Sequence, residues 1–228
     1  MTRPFDTVSN AMDLIIKYHG NQTRKAGGQP FIVHLLEVAN LIYKGFPEAT
    51  PELIASGLCH DLLEDTECTE NEVLESCGVF VLETVKTVSN DKELENNWEA
   101  KKLDYIDKVS KGSKEAQIVC LCDKIANMKS LLREYEVQGE DLWKSFNRGK
   151  DKKRFFEELV YKMISDNLGA HPYVDEYAEL IEQISLPKLE ADRNLTTDWG
   201  NLKGEKVSVD NSAWRDGYYK SIEEAFKN

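Results

Sequence analysis

His60 and Asp61 are followed one helical turn later by Glu64 and Asp65 in the run CHDLLEDTE. On a continuous helix, residues i and i+4 share a face, so His60 would lie under Glu64 and Asp61 under Asp65. That spacing concentrates three carboxylates and an imidazole at one end of an otherwise apolar stretch, where the acids would repel one another if uncompensated. A divalent cation is the simplest neutraliser, and an acid not used as a ligand is then free to handle a water or a proton.

Two further residues fit the same centre. His34 in PFIVHLLEVANLIYKG and Asp123 in EAQIVCLCDKIANMKSLL are single hydrophilic groups on strongly apolar helical stretches. Desolvating an unpaired polar group costs roughly 2–7 kcal/mol, so each needs a partner. A shared metal supplies one. The expected ligands are His34, His60, Asp61 and Asp123, two neutral imidazoles and two carboxylates that balance a dication. Mixed N/O ligation without thiolate suits Mn²⁺, with Fe²⁺, Co²⁺ and Zn²⁺ as alternatives. Of Glu64 and Asp65, one carboxylate would hold a nucleophilic water while the other moves a proton or steadies developing charge.

The elements that must position these groups are all helical. Apolar residues recur at helical spacing and clean two-residue alternation is scarce, which predicts an all-α fold. The expected helices are 8–19, 31–44, 51–64, 70–77, 79–88, 97–110, 114–134, 151–168 and 173–185, with breaks at Gly27-Gly28, Gly45 to Pro51, Gly78, Gly112 and His171-Pro172. Thr69 with Glu72 reads as a capping box, and Ser113 as the cap of the helix carrying Asp123. Residues 1–186 read as one helical domain. The polar stretch after Pro187, with Trp199, Trp214 and a short amphipathic end, reads as an extension over 187–228.

Bulk properties bound the function. The 228 residues carry 29 Lys+Arg against 41 Asp+Glu, a net charge of −12, which disfavours nonspecific binding to nucleic acid or anionic membranes. A phosphate ligand would therefore need a local basic pocket. With no signal-peptide pattern and no long apolar run, a cytoplasmic location is expected. Five cysteines form no CxxC pair, and Cys120 and Cys122 read as plain core.

The order H…HD…D resembles the HD-domain metal-dependent phosphohydrolases. The segments RKAGGQPFIVH, GLCHDLLEDTECT, SNDKEL and LCDKIANMKSL are similar more narrowly to the hydrolase domain of the RelA/SpoT alarmone enzymes and the small alarmone hydrolases, over roughly residues 5 to 170. The resemblance implies an HD-type helical bundle that hydrolyses the 3′-pyrophosphate of ppGpp or pppGpp, yielding GDP or GTP. It assigns catalysis to Glu64 and Asp65. Asn127, one turn after Asp123 on the same face, matches the family's DK-x-x-N pattern and goes to the nucleotide pocket. Arg24 and Lys25, before the Gly27-Gly28 turn, would cover the nucleotide, the arginine lying flat on the purine.

Lys92, Lys101 and Lys102 are the expected receivers of the distal phosphates. A second basic cluster, Lys144, Arg148 and Lys152-Lys153-Arg154, reads equally as a far wall of the pocket or as a solvated helix face. Leu35, Phe31, Asn90 and Phe155 depart from the family pattern: they stand where proline, tyrosine, an acid and a substrate-contacting tyrosine are usual. Those changes leave the ligands intact and bear on which nucleotide fits. Other readings are the same site acting on the 2′-phosphate of NADPH or on a nucleoside monophosphate, or a non-catalytic nucleotide-binding or interaction protein. No synthetase domain is expected.

Overall fold

In the computed structural model, residues 4–24, 28–90, 98–146 and 148–185 are described, and every regular element among them is helical. The helices are α1 (Pro4–His19), α2 (Phe31–Gly45), α3 (Pro51–Cys59), α4 (Leu62–Asp65), α5 (Glu70–Cys77), α6 (Val79–Val88), α7 (Trp98–Lys111), α8 (Lys114–Gln138), α9 (Gly149–Leu168) and α10 (Pro172–Ser185), with a 3₁₀ turn over Gly139–Ser145. Lys25, Lys92, Trp199, Trp214 and the expected extension over 187–228 lie outside the described residues.

The expected caps form. Thr69 and Glu72 make the reciprocal capping box of α5, and the Ser113 hydroxyl accepts from Ala116 N–H at the start of α8. Helix α8 runs four residues past the expected end at 134 because its stop signal is Gly139, at φ 60°, and not the earlier loss of apolar periodicity.

Helix α8 is the central strut. From Ala116 to Asp123 every residue is buried, which explains a stretch with no polar face: a helix apolar all round belongs inside. Around it α2, α9, α10 and the 3₁₀ turn build one apolar core, including Val38, Ile42, Leu121, Ile125 and Ile164. A second core joins α1, α3, α5 and α6 through Ile15, Leu35, Leu58, Leu62 and Val85. Helix α2 serves both cores, and His34 leaves its first turn beside the seam. The five cysteines are all buried and free, as core residues.

The expected continuous helix over 51–64 is broken. Helix α3 stops at Cys59 and the one-turn α4 restarts at Leu62, with Asp61 at φ −96°, ψ −3° between them. Adjacent residues of an α-helix diverge by about 100° around the axis, so His60 and Asp61 cannot face one point while the helix continues. The break lets them converge. The Asp65 N–H still donates to Asp61 C=O at 2.9 Å, so one turn of helical register survives for Glu64 and Asp65.

The two histidine-bearing helices meet closely at Gly57. A Cβ there would stand 2.5 Å from Ile42 Cδ1 and 3.5 Å from Ala39 Cα. Gly57→Leu should therefore separate α2 from α3 and lower stability by about 1–3 kcal/mol, as overpacking does, in a urea titration. Gly57→Ala should cost less, because the Ile42 methyl can move and alanine favours the helix.

Candidate metal centre and adjoining cleft

Four side chains from three segments, α2, the α3–α4 junction and α8, converge on one point. His34 Nε2 lies 3.1 Å from Asp123 Oδ1 and 3.7 Å from Asp61 Oδ2, and His60 Nε2 lies 3.0 Å from Asp61 Oδ2 and 3.4 Å from Asp123 Oδ1. The imidazoles meet edge to face, with centroids 5.2 Å apart. Both are almost wholly buried, their side chains 2% and 4% exposed. All four residues expected to ligate a metal are thus brought together.

The donor set fits a cation on its own chemistry. His60 Nδ1 lies 2.8 Å from Gly57 C=O, which fixes the proton on Nδ1 and turns the Nε2 lone pair inward. That buried Nε2 has no hydrogen-bond partner, as expected of a nitrogen placed to ligate. Among the described residues His34, His60 and Asp123 offer atoms mutually close enough to hold one ion, and Asp61 stands against both histidines.

The electrostatics are matched to that role. Burial alone would raise the Asp123 carboxyl, but Lys124 and the two imidazoles outweigh it and hold Asp123 well below the usual carboxylate range. Lys124 donates to Asp123 Oδ2 at 2.7 Å, while Asn127 Nδ2 donates to Oδ1 at 2.6 Å. Arg24 Nη2 in turn donates to Asn127 Oδ1 at 2.6 Å. The turn before α2 carries that arginine inward, through the bonds Arg24 N–H to Gln29 C=O and Phe31 N–H to Gln22 C=O.

Glu64 stands at the other side of the centre. Asn90 donates to both its oxygens, and Lys101 Nζ lies 3.6 Å from Oε1. A cavity of about 230 Å³ is lined by His34, His60, Asp61, Glu64, Asp65 and Asp123, among others. It shares Arg24, Phe31, Asp65, Lys124 and Asn127 with a larger cleft of about 900 Å³.

The larger cleft is cationic and aromatic, with Lys102, Lys124, Arg148, Lys153, Trp98, Phe146 and Phe156 in its walls. Lys102 lies over the Phe156 ring, 4.6 Å from its centroid, and burial together with the nearby Lys124 pushes it down to about 8. The second basic cluster divides. Arg148 and Lys153 reach the cleft, whereas Lys144 pairs with Asp141, Lys152 with Glu99 and Arg154 with Glu158 away from it.

Phe156, and not Phe155, is the α9 aromatic lining the cleft. Trp98, Lys124 and Phe146 were not anticipated. The position of Lys124 beside Asp123 was a usable signal, while nothing local marks the two aromatics. Phe31, which stands in the tyrosine position, stacks on buried His19 at 4.7 Å and meets His34 edge-on at 5.8 Å.

Comparison with known proteins agrees with this geometry. The HD-domain family model matches residues 11–149, which include all four proposed ligands. The chain belongs to the HD-domain family. This HD domain is 32% identical over 124 residues to the human guanosine-3′,5′-bis(diphosphate) 3′-pyrophosphohydrolase MESH1, covering 54% of this chain and 68% of that protein. A Mycoplasma pneumoniae relative is 24% identical over 229 residues, covering 95% of this chain but 28% of its own length. The chain thus spans from about a quarter to about two thirds of these curated relatives.

Among solved structures, a metazoan orthologue of SpoT that hydrolyses ppGpp shares the fold, with a TM-score of 0.68 at 21% identity over 80% of this chain and 98% of that one. A Listeria monocytogenes protein superposes with a TM-score of 0.60 at 28% identity, over 69% and 98% respectively.

Removing an inner ligand should be costlier than removing its support. His60→Ala should lower divalent-cation affinity by more than the ~10–100-fold typical of losing an outer hydrogen-bond partner, and Asn127→Ala should stay within that range. Isothermal titration of Mn²⁺ into each variant measures both.

Proposed function

We propose that this chain is a Mn²⁺-dependent hydrolase that removes pyrophosphate from the 3′ position of ppGpp or pppGpp, giving GDP or GTP. The observation that carries the reading is the adjacency of a His₂Asp₂ centre, the Glu64 and Asp65 carboxylates and a cationic cleft of about 900 Å³ that shares lining residues with the centre. Its relatives named as guanosine-3′,5′-bis(diphosphate) 3′-pyrophosphohydrolases, including human MESH1, supply the substrate class.

His34, His60, Asp61 and Asp123 would hold the cation. When bound, it supplies Lewis-acid polarisation of a phosphoryl oxygen and makes a coordinated water easier to deprotonate. The remaining work belongs to the chain's own side chains. Glu64 and Asp65 orient the attacking water and take its proton as the water oxygen bonds to phosphorus. The bond from phosphorus to O3′ then breaks, pyrophosphate departs, and O3′ takes up the proton that the Glu64–Asp65 pair accepted from the water.

Arg24 would cover the purine; its guanidinium is tied to Asn127 and so to Asp123. Lys102, Lys124, Arg148 and Lys153 supply the positive charge that the acidic chain otherwise lacks, each from a cleft wall. Lys153 is also paired to buried Glu157, which fixes its ammonium in place. Lys101 acts through Glu64, beside the reacting end of the nucleotide. Five free, buried thiols accord with a reducing, cytoplasmic setting. Among the described residues no helix is long and apolar enough to cross a membrane.

Metal-stripped protein should release GDP and pyrophosphate from ppGpp only after Mn²⁺ is restored, and Asp61→Ala should abolish the release while leaving the circular dichroism spectrum unchanged. Intact Mn²⁺ binding without release would discard the alarmone assignment and direct the search to NADPH and nucleoside monophosphates.

The cleft also predicts a basic limit to binding. A lysine lowered to about 8 is charged below that pH and neutral above it, so phosphate attraction at Lys102 is present in the charged form and is lost as pH rises through about 8. KM should rise across that pH in the wild type. Lys102→Arg, which stays charged, should flatten the rise in KM profiles measured on either side.

A further inference from the structure

We infer that Asn90 is the positioning residue for Glu64: it fixes both oxygens of that carboxylate in the orientation the reaction uses. The inference rests on the reading of Glu64 given under Proposed function.

The bonds are specific. The Asn90 backbone N–H donates to Glu64 Oε2 at 2.9 Å, and its side-chain amide donates to Oε1 at 3.0 Å and to Oε2 at 2.8 Å. One residue therefore grips the whole carboxylate, through a backbone donor that any residue could supply and a side-chain donor that an acid at the same position could not. An anionic side chain in place of the amide would replace donation by like-charge repulsion.

The clamp answers a mechanical need. Helix α4 is four residues long, too short to hold a side chain by its own cooperativity, so Glu64 must be located by tertiary contacts. Leu62, fully buried, anchors one face of the turn. Asn90 secures the carboxylate from across the space, 26 residues further along the chain.

Asn90 is itself held by two neighbouring helices. The preceding residue, Ser89, caps α6 with its N–H on Val85 C=O at 3.0 Å, and its own carbonyl accepts from Lys108 Nζ of α7 at 2.7 Å. The position of Glu64 is thus referred to α6 and α7 and does not depend on α4 alone. Lys101, also on α7, approaches the same carboxylate to 3.6 Å and neutralises part of its charge without orienting both oxygens.

The test uses the full Mn²⁺-loaded chain with ppGpp. Asn90→Ala should lower kcat by about 10–100-fold, the scale seen when a partner of a site residue is lost, with KM within about twofold and Mn²⁺ content and melting temperature unchanged. Asn90→Asp, which keeps the shape but loses the side-chain donors, should be worse than Asn90→Ala. A purely packing role predicts the reverse order, because aspartate preserves volume. In a Glu64→Gln background Asn90→Ala should cost little more, since the two act as one unit.

An independent readout needs no turnover. In ¹⁵N-labelled protein the Asn90 side-chain NH₂ should be protected from solvent exchange, and Glu64→Ala should remove that protection. Wild-type kcat in Asn90→Ala, or an unprotected NH₂ in the wild type, would overturn the clamp. Failure of the wild type to turn over ppGpp, with the NH₂ protected and released by Glu64→Ala, would instead overturn the proposed substrate and leave the clamp standing.

Discussion

Two buried imidazoles and two carboxylates meet within about 3–4 Å of one another at the seam between two apolar cores. Charges placed there are costly unless each is paired, and the surrounding structure supplies those pairings. Lys124 lies against Asp123, Asn127 bonds its other oxygen, and Gly57 C=O fixes the His60 ring. The fold around the centre follows from the same requirement. Helices α2 and α8 and the α3–α4 junction each bring one or two of these side chains to one point, with α8 buried along its first half and α2 packed on both cores.

The break between α3 and α4 is the local expression of that constraint. Neighbouring residues diverge on a regular helix, and the departure at Asp61 brings the His60 and Asp61 side chains to one centre. It also leaves α4 as a single turn. The carboxylate of Glu64 therefore depends on α6 and α7 for its position, through Asn90 and Lys101. Ligand geometry and the placement of the acid thus share a structural origin.

The cleft complements the centre by separating charge within an acidic molecule. Acidic groups gather at the His34–Asp123 centre, while Lys102, Arg148 and Lys153 line the adjoining cleft and Lys124 lines both. Burial and the neighbouring Lys124 lower the hold of Lys102 on its proton, while the Phe156 ring lies beneath its ammonium. Arg24 links the two regions through Asn127.

Much of this was legible in the sequence because it depends on local chemistry. Helical periodicity, the Thr69–Glu72 box, the Ser113 cap and isolated polar residues on apolar stretches are determined by nearest neighbours along the chain, and they located the helices and all four proposed ligands. The tertiary structure decided what depends on direction. It set the break at His60-Asp61, the inward turn of Phe156 over Phe155, the division of the second basic cluster and the grip of Asn90 on Glu64. These are relations between side chains tens of residues apart, fixed by the angles at which helices pack, and periodicity within one segment carries no record of those angles.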